Sequence, residues 1–531
     1  MAESASKFKI WEPFLLSIVT IIGMVAGAKF VDTGTIPVKP ETTISDANYS
    51  GRQVEEIIRF LETKYVGQVA SDELVEKAIK AIMEGLDPHT HYFPPDQVDE
   101  LEEKTMGHYV GIGVEVMFIE DSLVVLYPKK NSPAEKAGIM PGDHIISINE
   151  QAIPDDSLDH KEIIDLIKGS KGSRLKLRVK PMLENTIKTI HIVREEIKVP
   201  SVIAAYMLDS TVAYIRISRF TNSTYREFMD QWERMVTKEN AEHLVIDLRD
   251  NPGGYLREAV NILSQLFEEE GKVLVYTEGK NHERNEYKST GKVFFPVGKV
   301  GVLINEYSAS ASEIIAGCMQ DQDRGIIIGT RSYGKGLVQE QYELSNGGTL
   351  RLTVSKYYTP SGRLIQKAYD TGSEVDTTTI FRTVSGRPVK AGGGIDPDVK
   401  VEDDIDWYDP VIKNWMDIIS EYSIRYNLIA HNGEIISVDH FQKVKVELPE
   451  QKDILAALTS LAKKRGKDKS AELISYLQSN KEKVHRIAVS TLIAYRTGEE
   501  GWYRSFNDAD PVIIKTKRIL KENFPTALYA N

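Results

Sequence analysis

Between residues 52 and 104 the apolar positions recur at helical spacing. Val54, Ile57, Ile58 and Leu61 share one face, and after a cap at Ser71 or Asp72 a second stripe of Leu74, Ala78 and Ile82 runs to a stop at Gly85. This predicts a small N-terminal helical domain over 52–105. From 106 to 196 the pattern shortens to strand-like runs at Leu123-Val124-Val125-Leu126, Ile145–Ile148 and Leu175–Val179, with one helical stretch at Lys161–Ile167. A separate β-rich unit is expected there. From Val212 strands and helices alternate: Val212–Ile217, Tyr225–Val236, Leu244–Leu248, Arg257–Phe267, Val273–Tyr276, Val300–Asn305, Ala311–Gln320 and Ile326–Gly329. Alternation of this kind predicts an α/β core of mostly parallel strands over 197–400. Beyond Asp396-Pro397 the chain turns polar and then helical again. Its stripes are Leu455, Leu458, Leu461 and Ala462; Leu473, Ile474 and Leu477; and Val484, Ile487, Leu492 and Ile493. Residues 401–531 are expected to be a helical extension with a structural or assembly role.

A chain of 531 residues exceeds one hydrophobic core, so three or four domains are expected. The net charge of −12 is spread without a basic stripe, which sets nucleic acid aside as a partner. The single cysteine, Cys318, excludes an intramolecular disulfide and any multi-cysteine metal site, and reads as a packing residue. Near the N-terminus, Lys7, Lys9 and Trp11 precede the run Pro13–Phe30, which carries no charge before Lys29. Its apolar part is short for a span of ~20 residues, and Ala26-Gly27-Ala28 resembles a cleavage site. Residues 1–30 therefore read as a signal peptide or a membrane anchor, and 31–51, with Pro37 and Pro40, as a linker. Either reading exports the protein, to a membrane-anchored or periplasmic (cell-envelope) location; an uncleaved segment makes the membrane a partner.

No H-E-x-x-H and no G-x-S-x-G occurs, and the eleven histidines do not cluster beyond His89-Thr90-His91. No metal or cofactor is expected. Candidate chemistry concentrates in three places. The first is Asn305-Glu306-Tyr307-Ser308-Ala309-Ser310-Ala311-Ser312-Glu313, where a hydrophobic strand gives way to a helix. A serine there lies near free N–H groups and the positive end of the helix dipole; a helix cap explains the same serines equally well. The second is Ser332-Tyr333-Gly334-Lys335-Gly336-Leu337-Val338-Gln339. A lysine acts as a general base only when neutral, and burial favours the neutral form. Gln339 is placed to orient the amine without adding charge. Ser332-x-x-Lys335 also fits an S-x-x-K pattern, but the pattern recurs at Ser4, Ser173 and Ser289 and distinguishes nothing. The third is Asp247-Leu248-Arg249-Asp250-Asn251-Pro252-Gly253-Gly254-Tyr255, whose glycines allow backbone N–H groups close approach to a ligand.

Together these pieces resemble the carboxyl-terminal processing (tail-specific) serine proteases, in which a lysine of a G-K-G segment follows the catalytic serine of S-A-S-A-S-E-I by 25 residues. Here 335 − 310 = 25, which selects Ser310 over Ser308 and Ser312. The resemblance implies Ser310 as nucleophile, Lys335 as base and Gln339 as its orienting partner. It also implies an oxyanion hole from Ala311 N–H and either Gly253 or Gly254. Leu86-Asp87-Pro88-His89-Thr90, Tyr358–Arg363 and Gly394–Asp398 are further pieces of the same kind. The β-rich unit resembles a PDZ domain: Tyr109-Val110-Gly111-Ile112-Gly113 is similar to its carboxylate-binding loop, and Ser132–Asp143 to the turn before its central strand. Val110, Gly111, Ile112 and Gly113 are thus implied to bind substrate C-termini while the peptide adds as a strand. The implied fold is multidomain α/β: a crotonase/Clp-protease-like core, an inserted PDZ domain, and helical N- and C-terminal segments. The implied function is an endopeptidase acting on proteins with free C-termini, and the helical segments are compatible with a homodimer. Two other readings stay open: a PDZ scaffold on a retired protease core, and an acyl-CoA-handling enzyme.

Overall fold

The structure, a computed structural model, describes residues 50–522 apart from 120–121, 154–159, 183, 185 and 369–378. The expected targeting run at 1–30 lies outside the described residues. The chain divides into two compact units, Met1–Ile82 and Met83–Asn531.

In the first, α1 (Ser50–Lys64) and the start of α2 (Ser71–Glu84) form where the period predicts. Their apolar stripes do not make the expected core. Val54, Ile57 and Ile82 are 41%, 57% and 54% exposed, because two short helices offer too little apolar surface to enclose one.

The second unit opens with β1 (His91–Phe93) and α3 (Pro95–Met106). β1, expected within the N-terminal helical segment, instead pairs antiparallel with residues 349–351. There follow β2 (His108–Gly111), β3 (Val114–Ile119), β4 (Ser122–Pro128), α4 (Pro133–Lys136), β5 (His144–Ile148), β6 (Gln151–Ala152), α5 (His160–Ile167), β7 (Arg174–Lys180), β8 (Lys188–Val193) and β9 (Glu195–Lys198). The sheet β3-β4-β5-β7-β8 encloses its own core of Ile112, Val125, Ile139, Ile148, Ile163, Leu175 and Leu177. β3 is an edge strand of it, while β2 and β9 pair as a ribbon that joins the entry and exit of this part.

The chain continues through β10 (Val202–Met207), β11 (Val212–Ile217), α6 (Thr224–Glu239), β12 (His243–Asp247), α7 (Leu256–Ser264), β13 (Glu270–Gly279), β14 (His282–Thr290), β15 (Val300–Ile304), α8 (Ala311–Asp321), β16 (Ile326–Gly329), β17 (Leu337–Glu343), β18 (Thr349–Tyr358), β19 (Ile380–Arg382), β20 (Pro388–Lys390) and β21 (Val399–Lys400). Strands β10-β11-β12-β15-β16-β21 form one sheet, parallel except for β10. Residues 273–276, expected in that series, lie instead in β13, which joins an antiparallel sheet of order β1-β18-β13-β14 with β17 on β18. The reason is burial: β12 and β15 are enclosed almost throughout, whereas both ends of β13 are open to solvent, as suits an antiparallel sheet.

A parallel sheet must be covered on both faces. α6, α7 and α8 cover one, packing Phe228, Trp232, Ile262, Ile315 and Met319 against Ile215, Ile246 and Val302. The other is covered from the C-terminal extension, which comprises α9 (Pro410–His431), α10 (Phe441–Val446), α11 (Gln451–Ala462), α12 (Lys467–Ser479), α13 (Lys481–Thr497), α14 (Glu499–Phe506) and α15 (Pro511–Lys521). Trp415, Ile419, Leu458, Leu473 and Ile487 build a core inside the extension. Val512, Ile513, Ile519 and Leu520 of α15 pack on Tyr214, Val245, Leu303 and Ile328 of the sheet. The extension is therefore the second layer of the α/β core as well as a bundle of its own. Among the described residues no helix is long and apolar enough to cross a membrane.

Candidate active site

The loop from β15 to α8 holds the three serines in different states. Ser308 and Ser312 are fully buried. Their hydroxyls donate to Leu248 O at 2.8 Å and Asn251 O at 3.0 Å, tying this loop to the one after β12. Ser310 is partly exposed and sits at the N-cap of α8 with φ 55° and ψ −114°. Left-handed φ is costly for a residue with a Cβ and is kept only where the surroundings enforce it. Its hydroxyl makes no cap hydrogen bond. Position alone thus separates Ser310 from its neighbours.

Lys335 lies in the connection from β16 to β17 and is half-buried. A glycine is required before it: Gly334 has φ 86°, and a Cβ there would meet the backbone of Gly393 at 2.9 Å. Lys335 Nζ donates to Gln339 Oε1 at 3.0 Å. The Gln339 amide is itself fixed, because its Nε2 donates to His89 O. That leaves the acceptor end facing the lysine. The segment carrying His89 is held by Asp87, whose carboxylate accepts from His89 N–H (2.9 Å), Thr90 Oγ1 (2.7 Å) and Thr353 Oγ1 (3.2 Å). Burial, then the Arg351 guanidinium, hold Lys335 below its ordinary pKa, while Asp87 and Glu313 pull the other way. Burial and the nearby Lys335 depress His89 to about 4, so it is neutral at pH 7. Among the described residues no hydrogen bond joins Lys335 Nζ to the Ser310 hydroxyl; such contacts are often long before substrate arrives.

Two buried side chains couple the serine loop to the lysine loop, and sequence reasoning missed both. Glu313 Oε1 accepts from Ser332 Oγ (2.6 Å) and Gly334 N–H (2.7 Å). Its Oε2 accepts from Ser310 N–H and Lys335 N–H, both at 2.8 Å. Burial pushes this carboxyl up to about 7, and the four donors oppose the rise. Tyr357 OH, from β18, reaches Ser310 O at 3.1 Å and Lys335 O at 2.7 Å. The only local signal for Glu313 is its place three residues after the N-cap, which reads as a capping box.

The loop after β12 packs beneath Ser310. Asn251 Nδ2 donates to Ile217 O at 2.8 Å, and Asn251 Oδ1 accepts from Gly253 N–H at 2.8 Å. Gly254, at φ 144°, lies so close to β11's continuation that a Cβ would meet Phe220 O at 2.1 Å. Of the N–H groups expected to face an oxyanion, that of Gly253 is spent on Asn251. Those of Gly254 and Ala311 find no acceptor among the described residues.

In the β-rich unit the four implied carboxylate-binding residues differ. Val110 N–H donates to Glu103 Oε1 at 3.2 Å, and Gly111 ends the β2–β9 ladder opposite Glu195. Those two therefore do not offer free donors in the way the glycine loop suggests. Ile112 and Gly113 use their carbonyls, toward Ala134 N–H and Lys129 N–H, and their own N–H groups find no acceptor among the described residues. They lead directly into the edge strand β3.

Comparison with known proteins bears on the family. Peptidase family S41 matches residues 211–379, and the PDZ domain matches 124–181. The chain is 32% identical over 362 residues to a probable CtpA-like serine protease of Staphylococcus epidermidis, covering 68% of this chain and 72% of that one. It is 32% identical over 352 residues to a carboxy-terminal-processing protease of Bartonella bacilliformis, covering 65% and 80%. The solved structure of a photosystem II D1 C-terminal processing protease aligns at 26% identity over 66% of this chain and 87% of its own, with a TM-score of 0.37. This chain belongs to peptidase family S41, is a serine peptidase, and carries a PDZ domain.

Proposed function

We propose that the chain is an endopeptidase with a Ser310–Lys335 dyad that cleaves proteins whose free C-termini are captured by the PDZ domain. The observation that carries this reading is the mounting of Ser310 and Lys335 on one buried carboxylate, Glu313, with Gln339 turned to accept from the lysine. In the reaction, neutral Lys335 takes the Ser310 hydroxyl proton as Oγ bonds to the peptide carbonyl carbon. The oxyanion is held by the N–H groups of Ala311 and Gly254, at the N-terminus of α8. The tetrahedral species collapses, the C–N bond breaks, and Lys335 returns the proton to the leaving amine. Water, deprotonated by the same lysine, then releases the acyl group.

The free edge of β3 beside the Ile112 and Gly113 N–H groups supports strand addition of a C-terminal peptide. The six-stranded sheet with helices on both faces supports reading the core as crotonase/Clp-protease-like, with the PDZ domain inserted ahead of it. The N-terminal apolar run supports export to the cell envelope, which fractionation of cells expressing the full chain tests. The dyad is tested by digesting an unstructured protein with an apolar C-terminal tail. Ser310→Ala and Lys335→Ala are each expected to lose about a thousandfold or more in kcat. Cleavage that survives either change sinks the dyad; cleavage lost in both excludes the scaffold reading.

A further inference from the structure

Along β11 and β12 the side chains alternate. Ile215, Ile246 and Leu248 face α6–α8, while Tyr214, Arg216, Asp247 and Arg249 fall on the opposite parity, beneath the C-terminal extension. Asp247 Oδ2 accepts from Tyr214 OH (2.7 Å), Arg216 Nη1 (2.8 Å) and Arg249 Nη2 (2.7 Å). Asp247 Oδ1 accepts from Arg249 N–H at 3.0 Å. Arg216 Nη2 continues to Arg249 O and Asp250 Oδ2, both at 3.0 Å. Asp250 in turn exchanges two hydrogen bonds of 2.9 Å with Asn305, at the start of the serine loop. Burial works against the Asp247 charge, and the two guanidiniums hold it ionised.

Inside the core the two guanidiniums are matched by two carboxylates, buried Asp247 and partly exposed Asp250. Arg249 Nη1 is left to face the extension. Arg249 Nη1 lies 2.9 Å from Asp510 Oδ2 and 2.8 Å from Asp403 Oδ1. The Tyr503 ring lies 4.8 Å beneath the Arg216 guanidinium. Asp510 is 1% exposed. Its other oxygen caps α15 by accepting from Val512 N–H (2.8 Å) and Ile513 N–H (3.3 Å). One carboxylate thus starts the helix that covers the sheet and pairs with the arginine from which the loop 250–254 departs.

We propose that Asp510 is a positioning residue for peptide hydrolysis, acting through Arg249 on the loop 250–254. The C-terminal extension then takes part in turnover as well as in folding. This rests on the reading above that the loop supplies an oxyanion donor.

Asp510→Asn separates the two roles, since asparagine caps a helix as well as aspartate does, while on the side facing Arg249 the charge and the acceptor are both lost and an NH2 takes their place. The full-length chain is assayed on an unstructured protein with an apolar C-terminal tail, with Ser310→Ala alongside. In Asp510→Asn, kcat is expected to fall about 10- to 100-fold, with KM within about twofold and a melting temperature within about 3 °C of wild type. Asp403→Asn, whose carboxylate is 31% exposed and caps no helix, is expected to lower kcat less, again with KM unchanged. Wild-type kcat in Asp510→Asn overturns the proposal. If Asp510→Asn does not fold, Asp403→Asn decides, and wild-type kcat there overturns it as well. A loss of kcat that merely tracks the fraction of folded protein by circular dichroism also overturns it. Cleavage that persists in Ser310→Ala counts against the dyad alone, because the Asp510 effect is read as a ratio to wild type.

Discussion

Glu313→Gln changes one buried carboxylate into an amide of the same shape, and its consequences can be worked through bond by bond. Four donors converge on the carboxylate: Ser332 Oγ and Gly334 N–H on one oxygen, Ser310 N–H and Lys335 N–H on the other. An amide keeps one acceptor and turns the other into a donor. With its oxygen toward Ser310 and Lys335, the new NH2 meets Gly334 N–H, which cannot turn away. It also meets the Ser332 hydroxyl, which already accepts from Ile395 N–H at 2.6 Å. Two compromised buried donors cost about 2–4 kcal/mol in total. If that cost falls on the register of Ser310 against Lys335, kcat drops about 30- to 1000-fold.

The pH dependence gives an independent readout. The folded carboxyl sits near 7, against an ordinary value of 4.5. As pH falls through about 7 it takes a proton and one of the four bonds must give way, so wild-type activity declines toward acid. The stability term has the opposite sign. A carboxyl whose pKa is raised by folding contributes stability that is fully present below 4.5 and lost as pH rises through about 7. Acidification across that window should therefore lower kcat while this group adds to stability. Kinetics on an unstructured protein, paired with thermal melts over the same pH range, measures both. In Glu313→Gln the limb near 7 should vanish, leaving the limb set by Lys335. A variant with wild-type kcat and an unchanged acid limb would refute the reasoning.

Other outcomes follow from the same geometry. Gln339→Glu puts a carboxylate where Nζ now donates at 3.0 Å; it favours the ammonium and moves the acid limb of kcat upward by about 1–3 pH units, read from the pH–rate profile. Gly254→Ala, with a Cβ 2.1 Å from Phe220 O, should abolish turnover and lower the melting temperature. An unshifted melt would show that the loop yields more easily than its packing implies. Amidating a substrate's C-terminal carboxyl should raise KM and leave kcat alone, if Ile112 and Gly113 N–H groups receive it. An unchanged KM in steady-state kinetics would remove them from recognition.

Part of this site can be read from local signals in the sequence: a strand-to-helix junction marks the serine loop, and a glycine on each side of Lys335 marks a turn. Local signals do not choose among Ser308, Ser310 and Ser312; that choice rests on the family resemblance and its spacing of 25 residues to Lys335. Gln339 was within reach of a local reading as well. Glu313 was not: three residues after a cap it looks like half of a capping box, and its bonds to Ser332, Gly334 and Lys335 appear only when β16 lies beside β15. The charged cluster is harder still, since Arg249 and Asp510 lie 261 residues apart in the sequence, one in the core and the other in the extension. Residues 273–276 show the other failure. A run of four apolar residues carries no mark of which sheet it will join, and the open ends that decide the matter lie outside the run. In the N-terminal helices the period gives the element and its face but says nothing of whether that face finds a partner.

Ser310 and Lys335 are both mounted by their main chains. The N–H group of each bonds to Glu313 and the carbonyl of each to the Tyr357 hydroxyl, so the frame is carried by main-chain groups, with the Lys335 amine adding its own bond to Gln339 Oε1. Either can be erased without dismantling the frame around it. On the proposed dyad, a Ser310→Ala chain is expected to lose cleavage and keep its grip on whatever polypeptide it engages, which makes it a bait for the physiological cargo. Cross-linking in the cell followed by mass spectrometry of the retained chains would name the proteins that the intact enzyme cuts and releases.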